Sequence, residues 1–498
     1  MGERPTMALV CSGCGVRITA AGEAHYRCPN AGVVPGVDHV LRQQGEWLPA
    51  PLGDDVNPFV MFRHRLYAYA RALACGMSDE AYVAMVQGLD AAVEAVDGRA
   101  FRVTPLTEAR ECGAALGFAA PGALWIKDET DNVAGSHKAR HLFGIMLHLS
   151  ILAVQQDRPL AIASCGNAAL AAAVVARAAQ RPLVVHIPPD ANPRVVQRLQ
   201  ALGASLVVCQ REGEQAGDPC YLRFRDAVAA GAVPFSCQGS DNGLTIEGGM
   251  TLGYEIVAQQ QALGLRFDHL VVQVGGAALA SALAGSLSQA VATGVIEGLP
   301  RFHVIQTVGA FPLIRAYDRL AEFIWARLHG DEVGCWEPGR DHLLPAERLA
   351  RHNPETLAQT MRRAAAIQQA WSSTPVQASL RVAAQRRALF MWPWESQPHS
   401  LAHGILDDET YDWFAVVSLM LRSGGIGVVA SEAMVAEAQT LARATTSVPA
   451  DHTGTASLAG LMALRQAEVV QPTEKALVFF TGVDRDVEAV QRAAQSVL

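Results

Sequence analysis

Short runs rich in Val, Leu and Ile alternate with helical patterns along much of this 498-residue chain. The runs stand at residues 159–163, 182–187, 205–208, 269–274, 302–305 and 475–480. Uninterrupted apolar strands separated by helices indicate a parallel sheet that helices cover on both faces. The predicted fold class is therefore α/β.

Composition excludes several classes of protein. Half of the residues are hydrophobic and 18% are charged, which is typical of a globular chain and not of a disordered one. A net charge of -8 provides no general basic field for nucleic acid. The longest uncharged run, residues 269–296, is too polar for a membrane span. Because the first residues lack an apolar signal, we expect a cytoplasmic protein with reduced cysteines.

The chain has only three lysines, and one of them stands in an unusual setting. Lys138 follows Gly135, Ser136 and His137 at the point where a loop is predicted to become a helix. The positive end of a helix dipole favours the neutral amine that Schiff-base chemistry requires. The alternative is an ordinary surface lysine on a helix.

Three further turns join a predicted strand to a helix, or end a predicted strand, with small or polar residues. They are Ser164-Cys165-Gly166-Asn167, Gly275-Gly276-Ala277-Ala278 and Thr481-Gly482. Backbone N–H groups in such turns can bind an anion, because the first N–H groups of a helix have no partner within it. Helix capping and close packing are the alternatives. Cys165 has no neighbouring base in the sequence, so we interpret it as a small packed residue and not as a nucleophile.

The amino-terminal segment contains the cysteine pattern of a small metal ribbon. Cys11 and Cys14 are separated by two residues, and Cys28 follows later. Thiolates at this spacing can share a tetrahedral zinc ion. A fourth cysteine is missing, so closure of the site would require Asp38 or His39, and a metal-free relic of such a ribbon is the alternative.

Taken in chain order, these strings resemble the motifs of the tryptophan synthase β / threonine synthase group, the fold type II pyridoxal-phosphate enzymes. The matching strings are Thr104-Pro105-Leu106, Lys127-Asp128-Glu129-Thr130, Gly135-Ser136-His137-Lys138, Ser164-Cys165-Gly166-Asn167, Glu247-Gly248-Gly249-Met250-Thr251, Gly275-Gly276 and Thr481-Gly482. The cysteine segment also resembles the start of some threonine synthases. Several weak motifs in the right order are jointly more specific than any one of them.

The resemblance implies two doubly wound open sheets and a homodimer. Residues 51–149 and 237–498 would form a large cofactor-binding domain, and residues 150–236 a smaller mobile one. Residues 1–50 would be the cysteine-ribbon extension. A stretch at about 317–399 has no counterpart in the family, and we interpret it as an inserted, mostly helical surface element.

The resemblance also implies a role for each motif residue. Lys138 would form the Schiff base with pyridoxal 5'-phosphate and move the Cα proton of an amino acid. The other expected cofactor contacts are His137, Asn167 at the phenolic oxygen, Gly275, Gly276, Ala277 and Ala278 at the phosphate, and Thr481 at the ring nitrogen. The expected substrate contacts are Ser136, Ser164, Cys165 and Gly166. Among the arginines, only Arg140 occupies a motif position from which it could bind an anionic substrate.

The implied function is a lyase or synthase that removes a Cα proton and then eliminates or replaces a side-chain group, as threonine synthase does. A threonine/serine dehydratase that releases ammonia is the alternative, and a catalytically silent regulatory or binding subunit is the alternative from another class. His137 and Ala139 depart from the threonine synthase pattern around the lysine, and two phosphate-loop glycines are alanines. These departures leave the small-molecule substrate open.

Overall fold

The computed structural model describes residues 7–21, 25–33, 36–45, 55–119, 121–152, 157–211, 217–330 and 354–488. Its strands are β1 (Ala8–Cys11), β2 (Arg17–Thr19), β3 (Leu41–Gln44), β4 (Leu106–Glu108), β5 (Leu124–Asp128), β6 (Leu160–Ala163), β7 (Leu183–Ile187), β8 (Ser205–Val208), β9 (Val233–Pro234), β10 (His269–Gln273), β11 (Arg301–Thr307), β12 (Gly427–Ala430) and β13 (Ala476–Phe480). These strands form three separate sheets.

Helices outnumber strands in the described residues. They are α1 (Pro58–Met61), α2 (Tyr67–Ala74), α3 (Asp79–Asp97), α4 (Arg110–Ala115), α5 (Lys138–Ile151), α6 (Asn167–Ala178), α7 (Pro193–Ala201), α8 (Pro219–Ala229), α9 (Thr245–Ala262), α10 (Ala278–Ala292), α11 (Pro312–His329), α12 (Pro354–Gln369), α13 (Thr374–Gln385), α14 (Trp413–Ser423), α15 (Glu432–Thr445) and α16 (Ala456–Gln466). Within the part of the chain that the structure describes, no helix is both long and apolar enough to cross a lipid bilayer.

The largest sheet has six strands in the order β12-β11-β10-β13-β5-β4. Every neighbouring pair is parallel except β4 and β5. A second sheet, β8-β7-β6-β9, is entirely parallel. The strands β10 and β13 are buried along their whole length, as expected where helices cover both faces. The α/β fold class is confirmed.

The amino-terminal residues form a third, antiparallel sheet in the order β2-β1-β3. Hydrogen bonds connect this segment to the rest of the chain. Gly243 N donates to Tyr26 O over 2.8 Å, and Asp38 N donates to Ala384 O over 2.8 Å. The assignment of residues 150–236 to a separate mobile domain stays a prediction.

The interpretation of residues 317–399 as a surface insertion was wrong for the described part of that stretch. Tyr317 lies inside α11 and is fully buried. Ile367 of α12 and Val376 of α13 are fully buried in the same hydrophobic cluster as β10. The described residues are largely helical, but these helices belong to the core because their apolar faces pack against α11 and α14. Residues 331–353 lie outside the described residues.

Four buried charged side chains connect β5, α5 and α9. Arg140 donates to Glu129 and to Glu255, with Nε–Oε2 and Nη1–Oε1 distances of 2.8 and 2.6 Å. The Lys127 ammonium lies 2.7 Å from the other oxygen of Glu255. Burial alone would raise the pKa of Glu255, but the charges of Arg140 and Lys127 outweigh it and lower that pKa. The network thus brings two carboxyl groups, a guanidinium and a lysine amine within hydrogen-bond distance of one another in the protein interior.

This network predicts a large loss of stability when one charge is removed. Replacing Arg140 with Met should lower the free energy of unfolding by about 3–5 kcal/mol, because the carboxylates of Glu129 and Glu255 then stay buried with one cation between them. Urea unfolding followed by circular dichroism measures the change. The control is Arg110→Met, which breaks only the exposed pair with Glu108 and should leave the midpoint unchanged. If the two substitutions lowered the free energy of unfolding equally, the proposed contribution of the network to stability would be contradicted.

Candidate active site

Lys138 is the first residue of α5, and the loop before it is tied to the end of β13. Ser136 forms an antiparallel bridge with Gly482, and the backbone N–H of His137 donates to Thr481 O over 3.2 Å. Lys138 therefore begins its helix at the carboxyl ends of the parallel strands. In open α/β sheets ligands bind at this edge.

Thr481 presents a buried hydroxyl at the same edge. Gln273, the last residue of β10, donates from Nε2 to Thr481 Oγ1 over 2.7 Å. The same amide group also donates to the carbonyl oxygens of Thr453 and Gly454, at 3.0 Å each. Because Gln273 supplies the proton of that contact, the Thr481 hydroxyl keeps its own proton for another acceptor.

Asn167 is the first residue of α6, which follows β6 of the four-stranded sheet. Its side chain lies close to Gly482, just after the end of β13. A Cβ added at Gly482 would lie 2.7 Å from Asn167 Nδ2, so only glycine allows this approach. Asn167 Oδ1 accepts a hydrogen bond from Arg485, which also donates from Nη2 to Ala134 O over 2.9 Å. Arg485 thus fixes the amide with its Nδ2 group available as a donor.

The turn between β10 and α10 is covered by the segment 405–412, which we call the cover segment. Thr410 Oγ1 donates to Gly275 O over 3.1 Å, and the backbone N–H of Asp412 donates to Gly276 O over 3.2 Å. Ala277, the residue before α10, has a left-handed φ of 76°. That conformation costs a residue with a side chain about 1 kcal/mol or more, so the surrounding contacts must hold the turn.

A carboxylate of the cover segment occupies the turn itself. Asp407 accepts a hydrogen bond from the backbone N–H of Gly276, and a Cβ added at Gly275 would collide with the same carboxylate. Burial raises the pKa of Asp407, while the positive charge of Lys138 and the Gly276 N–H act in the opposite direction. The Gly276 N–H of this turn thus donates to a carboxyl group of the chain itself, at the amino end of a helix, where anions are favoured.

Two histidines beside Lys138 are held in the neutral form. Burial lowers the pKa of His137 well below its usual value, and the charge of Lys138 lowers it further. The same two causes lower the pKa of His141 to about 3. Since both rings are uncharged at neutral pH, these imidazoles add no positive charge around the amine.

The four expected substrate contacts lie on two loops. Ser136 is fully buried, and its Oγ has no hydrogen-bond partner among the described residues. The backbone N–H of Gly166 donates to Ser164 Oγ over 3.4 Å, in the turn that opens α6. Cys165 is exposed, so its interpretation as a packed residue was wrong. Cys165 directly precedes Gly166, the N-cap residue of α6, and so lies in the turn before the helix.

Arg140 does not bind substrate from its motif position. Its guanidinium is fully buried and is used by Glu129, Glu255 and Thr104. The expectation of an anionic-substrate contact was therefore wrong.

Comparison with known proteins identifies the family. The profile of the family described as "Pyridoxal-phosphate dependent enzyme" matches residues 99–365, which is more than half of the chain. The chain belongs to this family. The match covers the loop before α5 and the turns that open α6 and α10.

Individual relatives agree with this assignment. The mouse (Mus musculus) protein "Serine dehydratase-like" is 31% identical over 187 residues, which are 37% of this chain and 52% of that protein. The chain thus spans about half the length of the curated relatives it matches. The structure of threonine deaminase isoform 2 from Solanum lycopersicum superposes with a TM-score of 0.52 at 15% identity, covering 84% of this chain and 94% of that one. Diaminopropionate ammonia lyase from Escherichia coli gives a TM-score of 0.52 at 15% identity, covering 82% and 91%. These structures show the fold.

The residues at the strand edge fit pyridoxal phosphate, the cofactor of this family. Ser136 offers a buried hydroxyl that has no partner among the described residues, and the carboxylate of Asp407 stands where the Gly275–Gly276 turn would hold a phosphate. Thr481 retains a proton for a ring nitrogen, and Asn167 Nδ2 is available for a phenolic oxygen. The binding role of each of these residues stays a prediction.

Three residues that shape the site were not found from the sequence. Gln273 and Arg485 each orient a predicted contact, and Asp407 occupies the predicted phosphate turn. The sequence contained a weak indication of the role of Gln273, because it is a polar residue that directly follows the apolar residues Leu270–Val272 of its strand. Asp407 and Arg485 lie in ordinary polar strings, and only the folded chain brings them to the turn.

The position of Asp407 predicts competition between its carboxylate and a phosphate group. Asp407→Asn keeps a hydrogen-bond acceptor for Gly276 but removes the charge, so pyridoxal phosphate should bind about tenfold more tightly at pH 8. The advantage should shrink as pH falls, because the raised pKa lets the carboxyl of the unmodified protein become neutral. Absorption titration with the cofactor measures both constants.

The control is Asp408→Asn, which removes the neighbouring carboxylate. Burial and the charges of Asp218 and Asp407 raise the pKa of Asp408 to about 6. This substitution should change the dissociation constant little. Unchanged or weaker binding by Asp407→Asn would contradict the competition.

Proposed function

We propose that this protein is a pyridoxal-phosphate-dependent ammonia-lyase that acts on an amino acid with a β-hydroxyl group, of the serine or threonine type. The observation that carries the proposal is that Lys138 begins α5 directly after His137, whose backbone N–H donates to Thr481 O, so the lysine and the buried Thr481 hydroxyl lie at the same edge of the large sheet. Relatives named serine dehydratase and a structural neighbour named threonine deaminase support the same class.

Lys138 is proposed as the base that accepts the Cα proton. It stands at the start of α5, where the helix dipole disfavours a positive charge, and the rings of His137 and His141 beside it are neutral. Pyridoxal phosphate, when bound, supplies an electron sink that acidifies the Cα–H bond of an amino acid joined to it. Lys127 cannot take this role because it is buried and held by Glu255.

Thr481 determines how strongly that sink operates. A hydroxyl can hydrogen-bond a ring nitrogen but does not hold it protonated, as a carboxylate would. A moderated sink favours loss of a β-substituent over transamination. Gln273 maintains this arrangement by donating to the hydroxyl oxygen, so the Thr481 proton is directed to the ring.

The substrate carboxylate is assigned to the turn that opens α6. The N–H groups at the start of a helix attract an anion, and Ser164 adds a hydroxyl there. Ser136 contributes its unpartnered hydroxyl from the opposite loop. The substrate would therefore be held with its Cα–H bond towards the amine that begins α5.

The proposed reaction is balanced without a further reactant. The Cα proton goes to Lys138, the Cα–H electron pair forms a carbon–carbon double bond, and the β-hydroxyl leaves with a proton as water. The unsaturated amine that results is then hydrolysed, which consumes one water and releases ammonia. In total, one hydroxy amino acid gives one 2-oxo acid and one ammonia.

A second candidate is replacement of the leaving group by water or another nucleophile, as in threonine synthase. The cysteine-bearing amino-terminal segment, which resembles the start of some threonine synthases, favours it. Its substrate would carry an activated oxygen, such as an O-phosphorylated amino acid. It would release phosphate without net loss of ammonia.

Product analysis distinguishes the candidates. The protein loaded with pyridoxal phosphate should convert L-serine or L-threonine to equal amounts of ammonia and 2-oxo acid, and Lys138→Ala should lower that rate by about 10³-fold or more. Lys475→Ala is the matched control, since Lys475 lies at the opposite end of β13 and should leave the rate unchanged.

Each other outcome rejects the proposal. Phosphate release from O-phosphorylated amino acids, without turnover of serine or threonine, would favour replacement. Interconversion of L- and D-serine without ammonia would favour racemisation. Cofactor binding without any product would favour the silent binding subunit.

A further inference from the structure

The strongest unassigned feature is a group of three cysteines and one histidine in the amino-terminal sheet. Cys11 ends β1, Cys14 follows in the next turn, Cys28 lies in the loop before β3, and His39 precedes β3. One ligand atom from each residue lies within 4.8 Å of all the others. The three cysteines are free thiols.

The distances within this group match a tetrahedral ion. Cys14 Sγ and Cys28 Sγ are 3.5 Å apart, and Cys11 Sγ and His39 Nδ1 are also 3.5 Å apart. Around a tetrahedral zinc ion, two sulfurs would be separated by about 3.8 Å, and a sulfur and a nitrogen by about 3.6 Å. The ligand atoms therefore already stand at nearly the required spacing.

Backbone and amide donors surround the sulfurs. The N–H of Asn30 donates to Cys28 Sγ over 3.4 Å, and its Nδ2 donates to Cys14 Sγ over 3.5 Å. The N–H of Val16 donates to Cys14 Sγ as well. Such donors stabilise thiolates, the form in which cysteine binds metal.

We propose that Cys11, Cys14, Cys28 and His39 bind one Zn²⁺, which holds Asp38 against Trp413 and Arg387, the two residues that connect it to the cover segment of the cofactor site. Three thiolates and one imidazole form a closed set of four ligands, which is typical of a structural and not a catalytic zinc ion. The structure decides between the two residues that the sequence left open. His39 joins the group, while the Asp38 carboxylate accepts a hydrogen bond from Trp413 Nε1 over 3.2 Å.

A short chain of contacts links the metal site to the cofactor turn. Asp38, next to His39, also lies 3.6 Å from Arg387, which forms an ion pair with Glu409 of the cover segment. Trp413 directly follows Asp412, whose backbone N–H donates to Gly276 O. Loss of the ion should therefore loosen the segment that covers Gly275 and Gly276.

The first test is metal content. The full-length protein, purified without chelators and supplied with Zn²⁺, should contain one zinc per chain by plasma mass spectrometry. His39→Ala should weaken zinc binding more than about tenfold in competition with a chromophoric chelator. Cys75→Ser, which changes an exposed cysteine outside the group, should leave the zinc content unchanged.

A second measurement does not depend on the folding of a variant. The unmodified protein loaded with Co²⁺ should show the intense visible bands of a tetrahedral site and sulfur-to-metal charge transfer. Absence of zinc and cobalt binding, or a Cys14–Cys28 disulfide in the metal-free protein, would overturn the site. Unchanged zinc affinity in His39→Ala would overturn the histidine ligand.

The link to the cofactor turn has its own test. Asp38→Asn should keep one zinc per chain but weaken pyridoxal phosphate binding several-fold, as removal of zinc from the unmodified protein should. If zinc removal leaves the cofactor dissociation constant unchanged, the link is wrong while the metal site stands. Neither result depends on the reaction that the enzyme catalyses.

Discussion

The buried charge network of Lys127, Glu129, Arg140 and Glu255 is the constraint on which the candidate site depends. It joins the end of β5, the first turn of α5 and the middle of α9. Lys138 is the first residue of α5 and lies two residues before Arg140. The ion pairs of Arg140 therefore fix the position of the helix start that carries Lys138. Removing charges from water is costly, and the network is stable only because each ion has partners of opposite charge at hydrogen-bond distance.

The loop that precedes Lys138 is held in a conformation that a free peptide would rarely adopt. Ala134 has a left-handed φ of 55°, and the adjacent Gly135 has a φ of 68°. Arg485 stabilises this turn by donating to Ala134 O, and the Ser136–Gly482 bridge fixes its exit. Ala134 and Ala277 thus place backbone strain on both loops that are predicted to face the cofactor. The site is thus preorganised by contacts from the large sheet.

The sequence predicted the strands that are buried on both faces, because such strands appear as uninterrupted apolar runs. The apolar runs at β10 and β13 were predicted as strands covered by helices on both faces, and both strands are buried along their whole length. The strand β12 was missed because it has only four residues, follows Gly425 and begins at Gly427, and because glycines weaken the sequence signal of a strand. The core helices α12 and α13 look like surface helices in the sequence because their exposed faces are rich in Arg and Gln.

The site was predicted only as far as its motifs extend. Lys138, Thr481 and Asn167 stand in recognisable strings, and the fold brings their loops together. Arg140 was misjudged because a guanidinium in a sequence does not show its partners, and Glu255 lies 115 residues away. The contributions of Asp407 and Arg485 depend on contacts between distant segments, which one sequence does not encode visibly.

The central claim is that Lys138, among the three lysines, carries the cofactor chemistry. Borohydride reduction of the protein loaded with pyridoxal phosphate, followed by peptide mass mapping, tests this most directly. The account predicts an absorption band at about 410–420 nm before reduction and a single pyridoxyl-phosphate group on Lys138 afterwards. A group on Lys127 or Lys475, or no absorption band after addition of pyridoxal phosphate, would contradict it.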